Sequence, residues 1–111
     1  MLYEMNLHDA PFKLIKEGTK TIEMRLNDER RKDLKVGDII RFTNRTTLET
    51  METKVVALYY YDNFSELYKH FNKVEIGYKE DEIPNPKDMD LYYTKEQQAT
   101  YGVVAIRIEV L

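Results

Sequence analysis

Residues 18–25 bring three ionisable side chains together over a very short length of chain. Lys20, Glu23 and Arg25 stand among small and apolar residues, directly after a glycine and a threonine. Lysine and arginine can hold a phosphate or a carbonyl oxygen, arginine through a planar fork of donors. The carboxylate can accept from a base amino group or a bound water. The spacing indicates either a built polar site or an ion pair on a solvated sheet face.

The strand around these residues decides which side chains share a face. Successive side chains of an extended chain point to opposite faces of a sheet. In a strand over residues 19–26, Thr21, Glu23 and Arg25 share one face. Lys20 falls on the other face, at the end of an apolar row made of Ile22, Met24 and Leu26. The alternation therefore predicts that Lys20, with its stem buried, approaches a shared ligand from a different side than Glu23 and Arg25.

Short helices and strands of unequal length account for most of the remaining chain. Strands are predicted over residues 2–7, 19–26, 39–43, 50–61 and 103–110. Three helices are predicted to begin at a capping residue, which is Asp9, Asn63 or Thr94, and Thr94 precedes a glutamine at capping-box spacing. Gly18 and Gly102 stand where a helix ends, and Gly18 has the place of a left-handed residue.

The order of these elements predicts the fold class. Residues 27–34 predict a polar helical turn, and residues 73–90, which are acidic and contain Pro84 and Pro86, predict an ordered loop or a flap. Regular βαβ alternation is missing, and no glycine-rich phosphate loop follows the first strand. We therefore expect an α+β fold, a small β-barrel with short helices. Its last strand alternates, with one side formed by Val104, Ile106, Ile108 and Val110.

Composition excludes several classes of protein and site. The 111 residues predict a single domain spanning 1–111. Without cysteine there is no disulfide, thiolate catalyst or Cys-based zinc site, and only His8 and His70 supply imidazole. We accordingly expect no metal and no cofactor. No apolar run approaches the roughly 20 residues of a membrane span, and no signal-peptide pattern opens the chain, so a cytoplasmic protein without membrane contact is expected.

Charge is unevenly distributed along the chain. The net charge of −3 weighs against a general nucleic-acid coat protein. Residues 1–45 nevertheless carry 10 Lys and Arg against 8 Asp and Glu, whereas residues 46–111 carry 7 against 12. The basic side chains of the first part could hold one nucleotide or a short strand, or form a solvated face. They are concentrated at Arg30, Arg31, Lys32, Lys35, Arg41 and Arg45.

The pattern Gly18-x-Lys20-x-x-Glu23-x-Arg25 resembles the motif of the ASCH domain family, which belongs to the PUA-like superfamily. As in that family, the motif follows a strand and a short helix and precedes a Val-Gly-Asp turn and another strand. Residues 92–96 and 101–106 are similar to the C-terminal end of bacterial ASCH proteins. The resemblance covers essentially the whole chain. It implies a PUA-like β-barrel of about five to six strands, short peripheral helices and a cleft beside the motif.

The resemblance also implies a ligand and the residues that hold it. The superfamily is associated with RNA and modified nucleosides, so RNA or a nucleotide-like ligand is the expected partner. Lys20, Glu23 and Arg25 would line the cleft. We further expect ligand contacts from Thr21, Asn44, Tyr93 and Tyr101, with the tyrosines available for stacking on bases.

Catalysis and protein binding are alternatives that the sequence leaves open. ASCH relatives that are acetylcytidine amidohydrolases use a threonine three residues after the motif lysine, and here that position is Glu23, which disfavours the same reaction. Thr21 is one residue from Lys20 and does not restore the spacing. Lys20 and Glu23 could instead act as the acid–base pair of a metal-independent ribonuclease, with Arg25 on the phosphate.

As a third alternative, the domain is an interaction module for RNA metabolism or transcription. Its acidic segment, residues 75–90, would then face a protein partner. The sequence makes no prediction of the oligomeric state.

Overall fold

The computed structural model describes residues 1–111 and contains five strands, three α-helices and one 3-10 helix. The strands are β1 (Leu2–Leu7), β2 (Ile22–Leu26), β3 (Ile39–Asn44), β4 (Thr50–Tyr61) and β5 (Val103–Val110). The α-helices are α1 (Asp9–Lys16), α2 (Phe64–Tyr68) and α3 (Lys95–Tyr101), and the 3-10 helix is Pro86–Leu91. None of the helices is long and apolar enough to cross a membrane.

All five strands form one sheet in the order β1-β3-β4-β5-β2. β1 runs parallel to β3, and every other pair is antiparallel. The long strand β4 pairs with both β3 and β5, and its register shifts between Val55 and Ala57, where a bulge bends a strand and increases its twist. The sheet therefore curls into a half-barrel, and its two edge strands, β1 and β2, leave an open seam. This confirms the predicted α+β fold with short peripheral helices.

The capping predictions are confirmed for two of the three helices. The Asn63 side chain accepts from the Glu66 amide at the start of α2, and Thr94 forms a complete capping box with Gln97 at the start of α3. At α1 the prediction is wrong, because His8 holds the capping position and makes no side-chain cap. Asp9 instead accepts from the Asn44 side chain at 2.9 Å, which connects α1 to the end of β3.

Gly18 ends the first helical segment as predicted, but the strand after it begins later than expected. Gly18 has φ +86° and donates its amide to Ile15. The next two amides, of Thr19 and Lys20, both donate to the Leu14 carbonyl, and strand β2 starts only at Ile22. Since the helix end holds these amides, the strand alternation cannot be extended back to Lys20. Residues 27–34 form hydrogen-bonded turns and no helix.

Two apolar cores lie against the sheet. The larger contains residues from α1 and four of the strands, among them Phe12, Ile40 and Phe42. The smaller lies under α2 and residues 71–93 and includes Ile22 and Met24. Strand β5 contributes to both, with Val104, Ile106 and Ile108 in the first and Val103 and Ala105 in the second. Val110 was expected to continue the first row, but it is 44% exposed because it lies at the end of the strand.

Candidate ligand-binding cleft

A cleft of about 380 Å³ lies at the open seam of the half-barrel. One wall is β1 and the other is β2, and further side chains come from the turns after β2, the 3-10 helix and the tyrosines that follow it. Lys20, Glu23 and Arg25 all line this cleft. The structure thus brings together the three motif residues in one cavity.

Lys20 lies at the floor of the cleft, outside the regular strand. Its side chain is 8% exposed, and its Nζ donates to Glu23 Oε1 at 3.0 Å. The prediction that Lys20 stands on the other face from Glu23 is wrong, since the extended chain that it assumed begins only at Ile22. The rest of the alternation holds, with Ile22, Met24 and Leu26 in the smaller core and Glu23 directed to the cleft.

A glycine makes room for the Lys20 stem. Gly77 has φ +109°, and a Cβ added there would lie 3.1 Å from Lys20 Cδ. The segment that carries Gly77 packs beside the motif, because the amides of Thr21 and Ile22 both donate to the Glu75 carbonyl at 3.0 Å. Residues 75–77 therefore pack against the lysine stem and help to fix its position.

The carboxylate of Glu23 has all of its hydrogen-bonding positions filled. Oε1 accepts from Lys20 Nζ at 3.0 Å and from the Met24 amide at 3.2 Å. Oε2 accepts from Arg25 Nε at 3.1 Å and from Arg25 Nη2 at 2.8 Å. A carboxylate has about four lone-pair positions, and all four are used here. Glu23 therefore orients Lys20 and Arg25 and has no free position for a ligand amino group or water.

Arg25 connects the two edges of the sheet across the seam. Besides its two bonds to Glu23, its Nη2 donates to the Asn6 carbonyl of β1 at 2.9 Å. The Tyr93 hydroxyl lies beside the guanidinium. Burial would lower the pKa of Arg25, but Glu23 and Tyr93 outweigh it. Asn6 was not identified from the sequence, because a backbone carbonyl leaves no residue-type signal.

The same charges fix the ionisation of Glu23. Burial by itself raises the pKa of a carboxyl group, but here Lys20 and Arg25 outweigh burial and lower the pKa of Glu23 to about 2. Glu23 is therefore ionised at neutral pH and cannot serve as a proton donor there.

Three further arginines line the cleft. Arg31 is buried and pairs with Asp28 at 2.9 Å, whereas Arg30 and Arg45 are exposed and have no carboxylate within 4.0 Å. With Lys20 and Arg25 the lining contains five basic side chains, against the two carboxylates of Glu4 and Glu23. The cleft is thus basic on a chain of net charge −3. The other members of the basic sequence cluster lie outside the lining, namely Lys32, Lys35 and Arg41.

The other predicted ligand-binding residues, unlike the three motif residues, do not all line the cleft. Tyr93 lines the cleft, together with Tyr92 and His8, whose rings are 6.2 Å apart. Tyr101 lines a second cavity of about 760 Å³, formed between α2, α3 and the 3-10 helix. Asn44 lines neither cavity, and its buried side chain binds Asp9 and the amides of the turn after β3.

Thr21 also lies outside the cleft lining. Its hydroxyl oxygen is buried without a hydrogen-bond partner, so no base stands next to it to activate it as a nucleophile. No group of three or more His, Asp or Glu side chains has the arrangement of a metal site.

A hydroxyl network holds the acidic segment beside the cleft. The Tyr78 hydroxyl donates to Asp88 at 2.6 Å and lies 3.0 Å from the Tyr68 hydroxyl of α2. Residues 86–91 then form the 3-10 helix, whose Met89 lines the cleft. This segment was predicted as an ordered loop or flap; the structure shows ordered turns followed by one short helix.

Comparison with known proteins extends over nearly the whole chain. The family model described as "ASCH domain" matches residues 5–111. No curated protein matches the chain significantly.

Solved structures show the same fold. The crystal structure of the hypothetical protein PH0355 has a TM-score of 0.84 and 32% sequence identity over 100% of both chains. The solution structure of protein PF0455 from Pyrococcus furiosus has a TM-score of 0.71 and 32% identity, covering 100% of this chain and 98% of that one. An S128A mutant of ZmASCH from Zymomonas mobilis has a TM-score of 0.71 at 15% identity, covering 97% of this chain and 67% of that one.

Proposed function

The chain belongs to the ASCH domain family, and from that premise we propose that it binds RNA, or a nucleotide-like ligand, in the cleft between β1 and β2. The observation that carries the proposal is the concentration of five basic side chains against two carboxylates around one cavity. Phosphate contacts supply most of the affinity of proteins for nucleic acids. A basic cleft on an acidic chain confines such contacts to one place and suits a short ligand rather than a long duplex.

The side chains best suited to phosphate are the two exposed arginines of the cleft lining, Arg30 and Arg45, which form part of its rim. Arg30 and Arg45 are exposed and unpaired, so a phosphate can approach them without breaking an existing ion pair. Guanidinium groups bind phosphate through parallel donors. Tyr92, which is 60% exposed, offers a ring on which a base can stack at the same rim.

The size of the cleft agrees with a ligand of about one nucleotide inside it. Small-molecule pockets range over roughly 300–1,000 Å³, and this cavity, at about 380 Å³, lies at the small end. A longer strand would place one nucleotide in the cavity and its neighbours along the rim.

Hydrolysis remains a prediction from the sequence and is not part of this proposal. A general base needs a free lone pair, and all positions of the Glu23 carboxylate accept hydrogen bonds. Turnover by Lys20 and Glu23 would require that this network open first. The protein-interaction role of residues 75–90 likewise stays a prediction.

Fluorescence anisotropy with a labelled, mixed-sequence single-stranded RNA tests the proposal. We expect the double variant Arg30→Ala/Arg45→Ala to bind about tenfold more weakly near 0.1 M salt and to reduce the salt slope by about 1 or more. Lys20→Ala and Arg25→Ala should abolish binding, with circular dichroism confirming the fold. Lys54→Ala is the control, since Lys54 is exposed on β4 and lies outside the lining.

The result that contradicts the proposal is equally definite. Wild-type protein that fails to bind the RNA, or binding that is unchanged in the folded Lys20, Arg25 and rim variants, would exclude this cleft as the RNA site. Equal losses in Lys54→Ala and in the rim variant would point to a diffuse charge effect instead.

A further inference from the structure

The second cavity adjoins the cleft behind a wall of two stacked rings. Tyr93 lines the cleft and Phe64 lines the second cavity, and the centroids of their rings are 5.9 Å apart. Gln98, which also lines the second cavity, donates to the Tyr93 carbonyl at 3.3 Å. Nucleotides of a stacked strand rise by about 3.4 Å each, so a strand of about four nucleotides is long enough to extend from one cavity to the other.

Two segments of the chain border both cavities. The turn after β2 places Asn27 at the second cavity and Arg30 at the cleft. The 3-10 helix likewise places Lys87 at the second cavity and Met89 at the cleft. Arg30 and Lys87 are exposed, and neither has a carboxylate within 4.0 Å. A strand that follows these segments therefore meets an unpaired cation at each cavity, and such cations bind phosphates.

The second cavity presents aromatic rings and balanced charge, whereas the cleft has an excess of positive charge. Tyr60 and Tyr101 line it and are 54% and 43% exposed, so a base can stack on either ring. Its charged lining residues are two lysines and two aspartates, namely Lys87, Lys95, Asp62 and Asp90. None of the four has an ion-pair partner within 4.0 Å, and an aspartate can accept from the amino group of cytosine. Without a basic excess, the second cavity suits a base better than a phosphate.

We propose that the second cavity is a base-binding subsite for the RNA strand whose first nucleotide occupies the cleft. The inference rests on the proposed function and deepens it, because it makes the ligand a strand of several nucleotides rather than a mononucleotide. Tyr101 and Tyr60 supply the stacking surfaces of the subsite. Since every base has a face that can stack, the subsite selects ligands mainly by length.

Displacement of the labelled RNA by unlabelled cytidine ligands tests the subsite at fixed salt. The two ligands are CMP and a tetranucleotide of cytidine with a 5′-phosphate. We expect the wild-type protein to bind the tetranucleotide about thirtyfold more tightly than CMP. In Tyr101→Ala this gain should fall by about tenfold, the effect of losing one stacked base, whereas Tyr101→Phe keeps the ring and should keep the gain. Tyr59→Ala is the matched control, because Tyr59 is 36% exposed and lines neither cavity.

Several outcomes would overturn the subsite and leave the proposed function intact. They are the same gain in Tyr101→Ala as in the wild-type protein, an equal loss of affinity for CMP and the tetranucleotide, and no gain with length in the wild-type protein. Urea unfolding checks each variant, and if Tyr101→Ala does not fold, Lys87→Ala should reduce the gain by about threefold relative to Lys54→Ala. Failure of the labelled RNA itself to bind would instead contradict the proposed function, and the subsite with it.

Discussion

Arg25 and Asn6 join the two edges of the half-barrel. Arg25 Nη2 donates to the Asn6 carbonyl at 2.9 Å, across a seam at which β1 and β2 form no ladder. The same nitrogen donates to Glu23 at 2.8 Å. One side chain therefore contributes both to closing the sheet and to forming the floor of the cleft. Because these two roles share one group, changes at the floor should affect stability as well as binding.

Replacing Glu23 by glutamine should destabilise the protein strongly. The change removes the negative charge that compensates two largely buried cations. The Lys20 side chain is 8% exposed and the Arg25 side chain is 14% exposed. Breaking a buried ion pair from one side typically costs about 3–5 kcal/mol, so the free energy of unfolding in urea should fall by about 3 kcal/mol. The matched control is Glu29→Gln, because Glu29 is 75% exposed in its pair with Lys32 and should cost less than about 1 kcal/mol. Equal losses in the two variants would contradict the structural role of Glu23.

The lowered pKa of Glu23 predicts a loss of stability in acid. In the unfolded chain its pKa returns to the ordinary value of 4.5, whereas in the folded protein it is about 2. The ionised form is thus favoured by folding, so this contribution is complete above pH 4.5 and is lost as the pH falls towards 2. Its size is about 3 kcal/mol. Asp9 and Asp38 also have lowered pKa values, so their protonation likewise lowers the stability of the folded protein in acid.

Urea unfolding between pH 7 and pH 2.5 isolates the Glu23 contribution by difference. The free energy of unfolding of the wild-type protein should fall more steeply below pH 4.5 than that of Glu23→Gln. The variant keeps every other carboxyl group, so the difference between the two curves comes from Glu23 alone. Parallel curves for the two proteins would show that Glu23 does not titrate in this range on unfolding.

Gly77→Ala should weaken ligand binding although it replaces no charged residue. A methyl group at residue 77 would lie 3.1 Å from Lys20 Cδ, so the lysine stem must move and its ammonium with it. Gly37→Ala is a matched control, because its φ of +97° imposes the same backbone penalty while a Cβ there meets nothing within 4 Å. Each variant should lose about 1–3 kcal/mol of stability, the cost of holding an alanine at a strongly positive φ. Only Gly77→Ala should also lower the affinity for RNA, by about threefold or more, and equal affinities would contradict the packing of Lys20 against Gly77.

Sequence patterns predicted the elements well where a local cause dominates. The capping residues Asn63 and Thr94 and the helix-ending Gly18 act through their own side chains or backbone, so neighbouring residues suffice to predict them. Lys20 was placed on the wrong face because long-range bonds decide its conformation. Its amide donates back to α1, and the next two amides donate to Glu75, a residue more than fifty positions away.

The cleft itself was predictable only in its motif residues. Lys20, Glu23 and Arg25 are identified by type and spacing, whereas the convergence of Arg30, Arg31 and Arg45 on one cavity depends on how the turns fold over the seam. Asn44 and Tyr101 illustrate the opposite error. A polar side chain and an aromatic ring have residue types suited to ligand binding, but Asn44 connects α1 to β3 and Tyr101 lines the other cavity.

Tyr78→Phe should loosen the segment that forms one side of the cleft. The Tyr78 hydroxyl donates to Asp88 and lies against the Tyr68 hydroxyl, and removing a hydrogen bond of this kind costs about 1 kcal/mol. Amide exchange at residues 77–93 should therefore become about fivefold faster, while exchange in β4 and β5 stays unchanged. Tyr60→Phe is the control, because the Tyr60 ring is 54% exposed. Met89 and Tyr93 of the loosened segment line the cleft, so the affinity for RNA should fall as these amides lose protection from exchange. Faster exchange with unchanged RNA affinity would show that the cleft does not depend on this network.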